Sequence, residues 1–431
     1  MVEIADVLES LRDKEVFFHF DSDFVDWTRS EPAKLVIYSN KQKSIIELNN
    51  EKDIEAIAAS FYFYTKNSKL ISWNAKNFFS YFKKKSSIQV NSNIIYDLNI
   101  LCSYFSLPKK KPNSLRDANF LIDFIKNTDK WNDFEIFYNQ IYWPLISKVI
   151  PSIETSGLVD TINKKIVYSY YELEGQANGR MKTLKNLKDS FMPHSMGEKD
   201  KESIKLKSDA DFFVSFDFKH MEVSTLAWIT KDPALSKIVN SNIDLYKSIW
   251  FNLTKQEANK EQRNICKNIF LPVLFGQKAY SLSQRIGISE NSAEKLIYKL
   301  RTTFPVAFSW VDSQVVDSNN FAVDIFGRRR KFESEHYKIK NFSIQSPSNM
   351  ICLRKLVRLH EAIKDKAKLC IHVHDGYVLS CDKNKLKDVY SSAKEVLEEN
   401  DDMFPGLKLK VSCKFGSNLN NLNNIKEKIK V

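Results

Sequence analysis

The strongest constraint on the fold is the segment LCIHVHDGYVLSC at residues 369–381, where two apolar runs flank Asp375-Gly376. Asp-Gly between apolar runs is a strong short-range signal for a β-hairpin. A second segment, ADFFVSFDF at residues 210–218, is an almost continuous apolar run and predicts a strand buried on both faces. Each segment carries one carboxylate among apolar residues, Asp217 or Asp375. Because a buried, unpaired carboxylate is costly, we expect each to be paired, hydrogen-bonded or bound to a metal ion.

The two carboxylates could act together on one metal site if the fold brings them close to each other. Two neighbouring carboxylates repel each other, and a divalent cation between them removes that conflict. Mg²⁺ takes one or two carboxylates together with substrate phosphate oxygens, so such a pair favours chemistry on a phosphate ester. Taken singly, Asp217 is better explained as a capping or turn residue, and Asp375 as an ordinary hairpin residue.

One helix is predicted over residues 261–287, and it carries an unusual stripe. Arg263, Lys267, Leu271 and Phe275 recur at every fourth position and therefore share one face. The two cations suit a triphosphate, and the two apolar groups suit a base. A helix whose first turns face solvent and whose last turns face the core explains the stripe equally well.

The charge balance restricts the class of partner. The chain has 65 Lys and Arg against 53 Asp and Glu, a net charge of +12. This excess favours nucleic acid, an anionic membrane surface or phosphorylated ligands. No run approaches the roughly 18 apolar residues of a membrane span, and the charged N-terminus lacks a signal-peptide core. We therefore expect no membrane partner and a cytoplasmic location. Six scattered cysteines without a CxxC pair predict reduced thiols.

Several ordered motifs resemble those of the family A DNA polymerases, the family of bacterial DNA polymerase I. DFKHMEV (217–223), the Arg263, Lys267 and Phe275-Gly276 series, and VHDG (373–376) look like the family's motifs A, B and C. ANGRMKTLKNL (177–187), FGRRRK (326–331) and NFSIQ (341–345) resemble three further segments. Ordered motifs are far more specific together than any one of them is alone.

The resemblance implies a template-dependent DNA polymerase of phage or organelle-like type. Its location would be the host cytoplasm for a phage-encoded chain, with an organelle matrix as the alternative. It implies two Mg²⁺ ions, with Mn²⁺ as a substitute, held by Asp217, Asp375 and the backbone carbonyl of Phe218, and it implies primer–template DNA and dNTPs as partners. Lys267 would be catalytic as a proton donor to pyrophosphate, and Glu222 would exclude a ribose 2′-hydroxyl. The residues implied to bind the nucleotide are Arg263, Lys267, Glu222, Phe275, Tyr246 and Leu271. Those implied to contact DNA are Arg180, Asn341, Gln345, His374, Gly276 and Arg328. Without a function, Asn341 and Gln345 would be surface amides, and Arg328–Arg330 a solvated face.

The same resemblance implies the domain organisation. Residues 1–135 would form an α/β exonuclease-like domain, and residues 136–431 an α+β polymerase domain. Its palm, an antiparallel sheet, would cover 136–228 and 346–431, and its helical fingers 229–345.

Three departures from the family pattern modify that expectation. Leu271-Pro272 replaces the usual Phe-Gly, and the proline should kink the helix. FDSD (20–23) resembles a nuclease metal motif, but Phe78 stands where a second metal-binding aspartate is expected, so proofreading should be absent. Only 18 residues separate Asp160 from Gly179, too few for the helix pair of a thumb. The thumb should be reduced or absent and the processivity low; a processivity partner stays open because no segment names one.

Two other functions compete with this interpretation. A single-subunit RNA polymerase shares the palm and some motifs, but Glu222 argues against it because a bulky gate should clash with rNTPs. A non-catalytic primer–template-binding subunit would keep the fold, and the presence of Asp217, Asp375, Arg263 and Lys267 argues against it.

Overall fold

The computed structural model describes residues 15–21, 33–40, 43–48, 50–64, 68–86, 95–128, 130–185, 187, 189–208, 210–241, 243–333 and 336–424. The chain divides into two compact units. The first comprises Met1–Asp217, Cys352–Val396 and Ser412–Val431, and the second comprises Phe218–Ile351 and Leu397–Val411. The division therefore falls within a strand that ends at Phe218 and within a long helix that contains Cys352. No helix among the described residues is long and apolar enough to cross a membrane.

The described residues form a series of short strands, most of which belong to two five-stranded sheets. The strands are β1 (Glu15–Phe20), β2 (Ala33–Tyr38), β3 (Lys43–Leu48), β4 (Lys69–Ser72), β5 (Ile95–Asp97), β6 (Leu158–Asp160), β7 (Lys165–Val167), β8 (Tyr171–Glu172), β9 (Lys182–Thr183), β10 (Ile204–Lys205), β11 (Asp211–Phe218), β12 (Phe321–Val323), β13 (Arg329–Lys331), β14 (Lys368–Val373), β15 (Gly376–Asp382), β16 (Val411–Gly416) and β17 (Asn423–Asn424).

The helices are concentrated in the second unit and before residue 157. They are α1 (Glu51–Tyr64), α2 (Ala75–Lys85), α3 (Leu98–Tyr104), α4 (Leu115–Lys126), α5 (Trp131–Phe137), α6 (Ile150–Thr155), α7 (Glu198–Ser203), α8 (Met221–Thr230), α9 (Pro233–Asn240), α10 (Leu245–Thr254), α11 (Lys260–Leu274), α12 (Ala279–Ile286), α13 (Glu290–Thr303), α14 (Pro305–Asp312), α15 (His336–Ile363) and α16 (Leu386–Glu398). Two π-helical segments, Tyr138–Tyr142 and Leu145–Val149, continue α5 into α6, and the 3₁₀ turns are Pro193–Ser195 and Lys383–Lys385.

The N-terminal part of the first unit is a mixed sheet with helices, as the alternation of apolar runs predicts. Its strand order is β3-β2-β1-β4-β5, with β1 antiparallel to β2 but parallel to β4, and β4 parallel to β5. The α/β character of this region is therefore confirmed. Its relationship to a nuclease stays a prediction.

The predicted nuclease motifs lie at the end of β1 and on α2. Asp21 directly follows β1 and is exposed, whereas Asp23 lies outside the described residues. Phe78 is 1% exposed and packs against Phe18 and Phe82, with ring centroids 5.0 and 4.6 Å away. The position that lacks the expected carboxylate is thus a core position filled by an aromatic side chain.

The sequence FEIFYNQIYWPLISKVIPSIETSG predicts a long helical run that ends at Gly157, and such a run is present. It begins earlier than its aromatic stretch suggested, at Trp131, and ends at Thr155. Gly157 follows with a left-handed φ of 49°, and a β-carbon there would lie 2.8 Å from the ring of Tyr168. Only glycine adopts this left-handed conformation readily and also fits beside the Tyr168 ring, which explains why the helix ends here.

One buried carboxylate ties this helical run to α2. Glu154 has no exposed surface and accepts hydrogen bonds from the ammonium of Lys76 at 2.8 Å and from the hydroxyl of Ser80 at 2.6 Å, both on α2. It also accepts the backbone N–H of Tyr171 at the start of β8. A buried charge with three donors is satisfied, whereas removal of Lys76 would leave it uncompensated at a cost of about 3–5 kcal/mol.

The stretch in which a thumb would be inserted contains only short elements. The apolar and aromatic run IVYSYYEL at residues 166–173 predicts one strand. It is instead divided between β7 and β8, which belong to different small sheets, β10-β6-β7 and β8-β9. The longest helix described between Gly157 and Asp211 is α7, with six residues. These short elements are compatible with a reduced thumb, which stays a prediction.

The second five-stranded sheet has the order β14-β15-β11-β16-β17. The strand pairs β14–β15, β15–β11 and β16–β17 are antiparallel. β11 is the predicted strand, but burial on both faces is wrong. From Phe213 to Phe218 the residues are mostly buried, yet Ser215 is half-buried and Asp217 is exposed. An antiparallel sheet can keep one face in water, which explains the partial alternation.

The second unit has a helical core. Its buried cluster draws apolar side chains from α8 to α15, among them Leu226, Ile249 and Phe270. Asp232 is fully buried and accepts three backbone N–H groups, those of Leu235 on α9 and of Val306 and Ala307 on α14. One carboxylate therefore fixes the first turns of two helices.

Candidate active site

The carboxylate part of the site lies in the first unit, where the hairpin β14–β15 pairs with β11. Asp217 is the cross-strand partner of Gly376, so it lies beside the residue that follows Asp375. The predicted hairpin is confirmed, but its loop is one residue earlier than the Asp-Gly pair suggested. Val373 pairs with Gly376, which leaves His374 and Asp375 as the loop, and His374 adopts the left-handed φ of 53°.

Gly376 is required for space rather than for a left-handed conformation. It is the first residue of β15, and a β-carbon there would lie 3.2 Å from Oδ1 of Asp217 and 3.4 Å from the carbonyl oxygen of Phe216. Glycine therefore lets the backbone of β15 approach the Asp217 carboxylate closely.

The two aspartates influence each other electrostatically. Loss of hydration, and to a smaller extent the negative charge of Asp375, raise the pKa of Asp217 to about 6, although the side chain keeps contact with solvent. Lys414 on β16 opposes this shift. The pKa of Asp375 is also raised, mainly by burial, while Arg180 and His374 oppose the increase. Because both groups act on Asp375, Arg180 and His374 lie in the carboxylate part of the site. Their contact with DNA stays a prediction.

The donor set fits a hard divalent cation. Two carboxylates whose ionisation is unfavourable present oxygen ligands, and Mg²⁺ uses one or two protein carboxylates plus phosphate oxygens. Within the described ranges no group of three or more His, Cys, Asp or Glu residues could hold a metal ion. A fully protein-coordinated site is thus not seen there, and the coordination would have to be completed by substrate. The carbonyl of Phe218 as a ligand stays a prediction.

Asp217→Asn should raise thermal stability at pH 8 in metal-free buffer but not at pH 4. The folded-state pKa of about 6 exceeds the value of about 3.9 for an unfolded aspartate. Stability from the protonated carboxyl is fully present below about pH 4 and is lost as pH rises through about 6. The amide removes this loss, and differential scanning fluorimetry measures it.

Asp211→Asn at the other end of β11 is the matched control for the stability measurement. Its pH profile should follow that of the wild-type chain. A melting temperature of Asp217→Asn that is unchanged or lowered at pH 8 would contradict the raised pKa of Asp217.

The second unit contains the residues predicted to bind the nucleotide. α11 begins with a reciprocal cap, in which the Asn259 side chain accepts the N–H of Gln262 and the Gln262 side chain accepts the N–H of Asn259, both at 2.9 Å. The predicted stripe lies on one face and remains accessible: Lys267 is exposed, while Arg263, Leu271 and Phe275 are half-buried. Leu271 and Phe275 also pack against the helical core, so the solvent-to-core interpretation is partly correct as well.

Pro272 does not interrupt α11. The helix continues without a break to Leu274, and the proline lies in its last turn. The single helix predicted as far as Gly287 is wrong, because α11 ends at Leu274 and α12 begins at Ala279. Phe275 closes the helix by donating its N–H to the carbonyl of Leu271 at 2.9 Å. The missing proline N–H thus removes one hydrogen bond near the end of the helix, where its effect on the remaining helix is small.

Arg263 is held by an acidic partner that has no local sequence signal. Its Nε donates to Oδ2 of Asp244 at 2.9 Å, and its guanidinium carbon lies 5.6 Å from the ring centroid of Tyr246. Asp244 also caps α10 by accepting the N–H groups of Tyr246 and Lys247. The pKa of Asp244 is lowered because the hydrogen bonds from Arg263 and from these N–H groups outweigh partial burial.

His220 and Glu222 flank the same group. His220 has a left-handed φ of 57° and contacts the edge of Tyr246, with ring centroids 4.9 Å apart. Burial lowers the pKa of His220, and the charges of Arg263 and Lys267 lower it further. Glu222, in the first turn of α8, contributes to a raised pKa of Tyr246 and so lies near it. Sequence reasoning missed Asp244 and His220; the histidine lies within the DFKHMEV motif and could have been considered.

Asn341 and Gln345 lie one turn apart on α15, both half-buried. Oδ1 of Asn341 is buried without a hydrogen-bond partner among the described residues, which is compatible with an external donor. Gly276 is exposed and has a φ of 101°, which a residue with a side chain rarely adopts. Contacts of these residues with DNA stay predictions.

Arg328 requires a correction. Its side chain is 2% exposed, and its charge acts on the buried Asp324, whose pKa is raised by burial and lowered by Arg328. The expected surface contact with DNA is therefore wrong for this structure, and so is the solvated-face alternative for this residue. Charged pairs buried in this way organise the turn between β12 and β13 rather than present a free cation.

Comparisons with known proteins give one consistent result. The model of DNA polymerase family A matches residues 38–421. The DNA polymerase of Bacillus phage SP01 is 23% identical over 325 residues, covering 68% of this chain and 34% of the phage protein. The thermostable DNA polymerase I of Thermus aquaticus is 21% identical over 283 residues, covering 59% of this chain and 34% of that protein. The chain thus spans about one third of the length of these relatives.

A solved structure shares the fold. It is the POL domain of Pol1 from M. smegmatis in complex with DNA primer-template and dNTP, with a TM-score of 0.74 and 13% identity. The likeness covers 97% of this chain and 98% of that chain.

Proposed function

The chain belongs to DNA polymerase family A, and from this premise we propose that it is a template-dependent DNA polymerase that adds dNTPs to a primer 3′-hydroxyl. The observation that carries the proposal is the pairing of Asp217 with Gly376, which brings a carboxylate with a raised pKa beside Asp375. Two such carboxylates are suited to hold divalent cations against phosphate oxygens.

In this proposal Asp217 and Asp375, with the Phe218 carbonyl, hold two Mg²⁺ ions, for which Mn²⁺ can substitute. When bound, such ions lower the pKa of the attacking hydroxyl and stabilise the charge on the leaving pyrophosphate. Arg180 and His374 carry positive or hydrogen-bonding groups close to Asp375 and are assigned to the primer–template backbone.

The exposed ammonium of Lys267 and the guanidinium of Arg263 are assigned to the triphosphate, because charge-assisted hydrogen bonds to phosphate are strong. Asp244 holds Arg263 by a hydrogen bond of 2.9 Å and so limits the directions in which the guanidinium can donate. Leu271 and Phe275 offer apolar surface to the base, and Tyr246 adds a ring beside Arg263.

The finer proposals concern the remaining regions. Absence of proofreading is supported by Phe78, a core aromatic where a metal ligand is expected. Low processivity is supported by the short elements described between Gly157 and Asp211. Whether a partner protein restores processivity stays an open part of the proposal.

Primer extension with the purified chain, Mg²⁺ and a labelled primer–template tests the activity. We expect dNTP-dependent extension, short products under single-hit conditions and no removal of a mismatched primer end. Complete lack of extension at every salt concentration would favour a non-catalytic primer–template-binding subunit. Equal use of rNTPs and dNTPs would favour an RNA polymerase.

Glu222→Ala should increase rNTP incorporation relative to dNTP by about 10- to 100-fold, since removal of a clash worth about 1–3 kcal/mol relaxes discrimination. Glu222 stands in the first turn of α8, and its carboxylate influences Tyr246, the ring beside Arg263. Single-nucleotide incorporation kinetics with rNTP and dNTP measure the ratio.

Glu261→Ala, an exposed acid in the first turn of α11, is the matched control and should leave the rNTP-to-dNTP ratio unchanged. Unaltered discrimination in Glu222→Ala would remove the gate assignment without affecting the assignment of the two aspartates.

A further inference from the structure

A second cluster of phosphate-binding groups lies in the first unit, on residues that have no role in the proposed reaction. The ammonium of Lys83, in the last turn of α2, donates to Oγ of Ser152 on α6 at 2.9 Å. Nε2 of His360, near the end of α15, lies 3.3 Å from the same Oγ. Two side chains, from α2 and α15, thus converge on the hydroxyl oxygen of a third side chain on α6.

The surroundings of this oxygen are strongly positive. Burial lowers the pKa of His360 most, and the charges of Lys83, Lys148 and Lys364 lower it further. Among the contributing groups, Glu361 is the one that raises this pKa. Lys83, Lys148 and Lys364 are exposed, and Ser152 and His360 are half-buried. Partial loss of hydration lowers the pKa of the Lys83 ammonium as well.

Such a cluster is poorly explained as a purely structural contact. The charges of Lys83, Lys148 and Lys364 gather around one neutral hydroxyl and a histidine whose pKa they lower. These cations repel one another, and an incoming anion would relieve that repulsion. A hydroxyl, an ammonium and an imidazole can donate to different oxygens of one tetrahedral phosphate. Lysine and serine side chains are also common donors to the backbone of nucleic acids.

We propose that Lys83, Ser152 and His360 form a phosphate-binding site, flanked by Lys148 and Lys364, that takes a backbone phosphate of nucleic acid. The choice of nucleic acid as the source of the phosphate rests on the proposed function, whereas the preference for phosphate rests on the donor set. The site would add a contact with DNA outside the carboxylate and nucleotide sites, in a chain proposed to grip its duplex weakly.

The test compares the full-length double variant Lys83→Gln/His360→Gln with the wild-type chain. Both glutamines can keep a hydrogen bond to Ser152 but carry no charge. In EDTA and without dNTP, fluorescence anisotropy should show about five- to tenfold weaker binding of a labelled primer–template, and the salt dependence should fall by about one unit of slope. Lys387→Gln, an exposed lysine of α16, is the control and should bind within twofold of the wild type.

A second readout identifies the source of the phosphate. The ring signal of His360, one of seven histidines, can be assigned by its loss in the variant and followed by NMR with labelled histidine. It should shift with the oligonucleotide at micromolar concentration and with inorganic phosphate only at much higher concentration. A shift at low phosphate concentration with unchanged DNA affinity in the double variant would overturn the nucleic-acid assignment. Unchanged DNA affinity together with no shift by either ligand would overturn the site itself.

The outcomes are separable from those of the proposed function. At saturating DNA the double variant should extend primers at a rate within twofold of the wild type, because its residues are not part of the reaction. If the wild-type chain extends no primer but the double variant binds DNA more weakly than it does, the phosphate site is retained and the polymerase activity is rejected. Loss of extension at saturating DNA would instead overturn the separation of the two sites.

Discussion

Asp217→Asn and Asp375→Asn should each reduce primer extension by about 10³-fold or more and leave primer–template binding within about twofold. Removal of either carboxylate charge weakens divalent-ion binding, and a metal ion stabilises the transition state by several kcal/mol, where each 1.36 kcal/mol is about tenfold in rate. Asparagine keeps the size of the side chain at both positions, and at Asp375 its cost to the hairpin loop is small because Asn is accepted in turns. Single-turnover extension measures the rate, and anisotropy measures DNA binding.

Asp211→Asn provides the matched control for both aspartates. It removes one negative charge from the same strand, β11, at the end opposite Asp217, where Asp211 accepts a hydrogen bond from Ser380 that an amide oxygen can also accept. Its extension rate should remain within about twofold of the wild type. Extension by either active-site variant at more than a tenth of the wild-type rate would refute the assignment of these carboxylates to the metal ions.

The strands that carry these aspartates were predictable because their signals are local. The hairpin at Asp375 and the strand at Asp217 each consist of apolar runs with a polar break at one end. The exact loop was not predictable, since Asp-Gly and His-Asp compete for the two loop positions. His374 takes the left-handed position, and Gly376 is reserved for close approach to Asp217.

The charged partners were the least predictable part of the site. Asp244 lies 19 residues before Arg263, and nothing in the local pattern of either helix indicates that they pair. Arg328 belongs to a run of three arginines that reads as a solvated surface, yet it is buried beside Asp324. Tertiary packing decides which cation of such a run meets a carboxylate, so local composition cannot identify it.

The stripe on α11 shows that helical periodicity predicts which residues share a face but not what that face contacts. Spacing of four residues places Lys267 and Leu271 on one face, and that placement is confirmed. Periodicity does not determine what the face contacts, because the same stripe begins accessible and ends against the helical core. The assignment of Lys267 to the triphosphate therefore depends on the family and requires a direct test.

Lys267→Ala should lower the rate of nucleotide addition by about 10²–10³-fold, with primer–template binding nearly unchanged. The loss combines a phosphate contact with general-acid assistance to pyrophosphate, which contributes about 10²–10⁴-fold where it operates. Lys267 is exposed on α11 and can be replaced without a cavity in the core. Pre-steady-state incorporation of a single dNTP, with its concentration varied, gives the apparent dNTP Kd and the maximum rate separately.

Lys267→Arg separates the two contributions of the lysine. Arginine keeps the positive charge but does not release its proton near neutral pH, so the apparent dNTP Kd should return towards the wild-type value while the maximum rate stays low. Lys260→Ala, at the exposed first residue of the same helix, should behave as the wild type. If Lys267→Arg recovers the full rate, proton donation by this residue is refuted and charge alone explains its role. If Lys267→Ala retains the full rate and dNTP affinity, the cationic half of the stripe has no part in nucleotide addition.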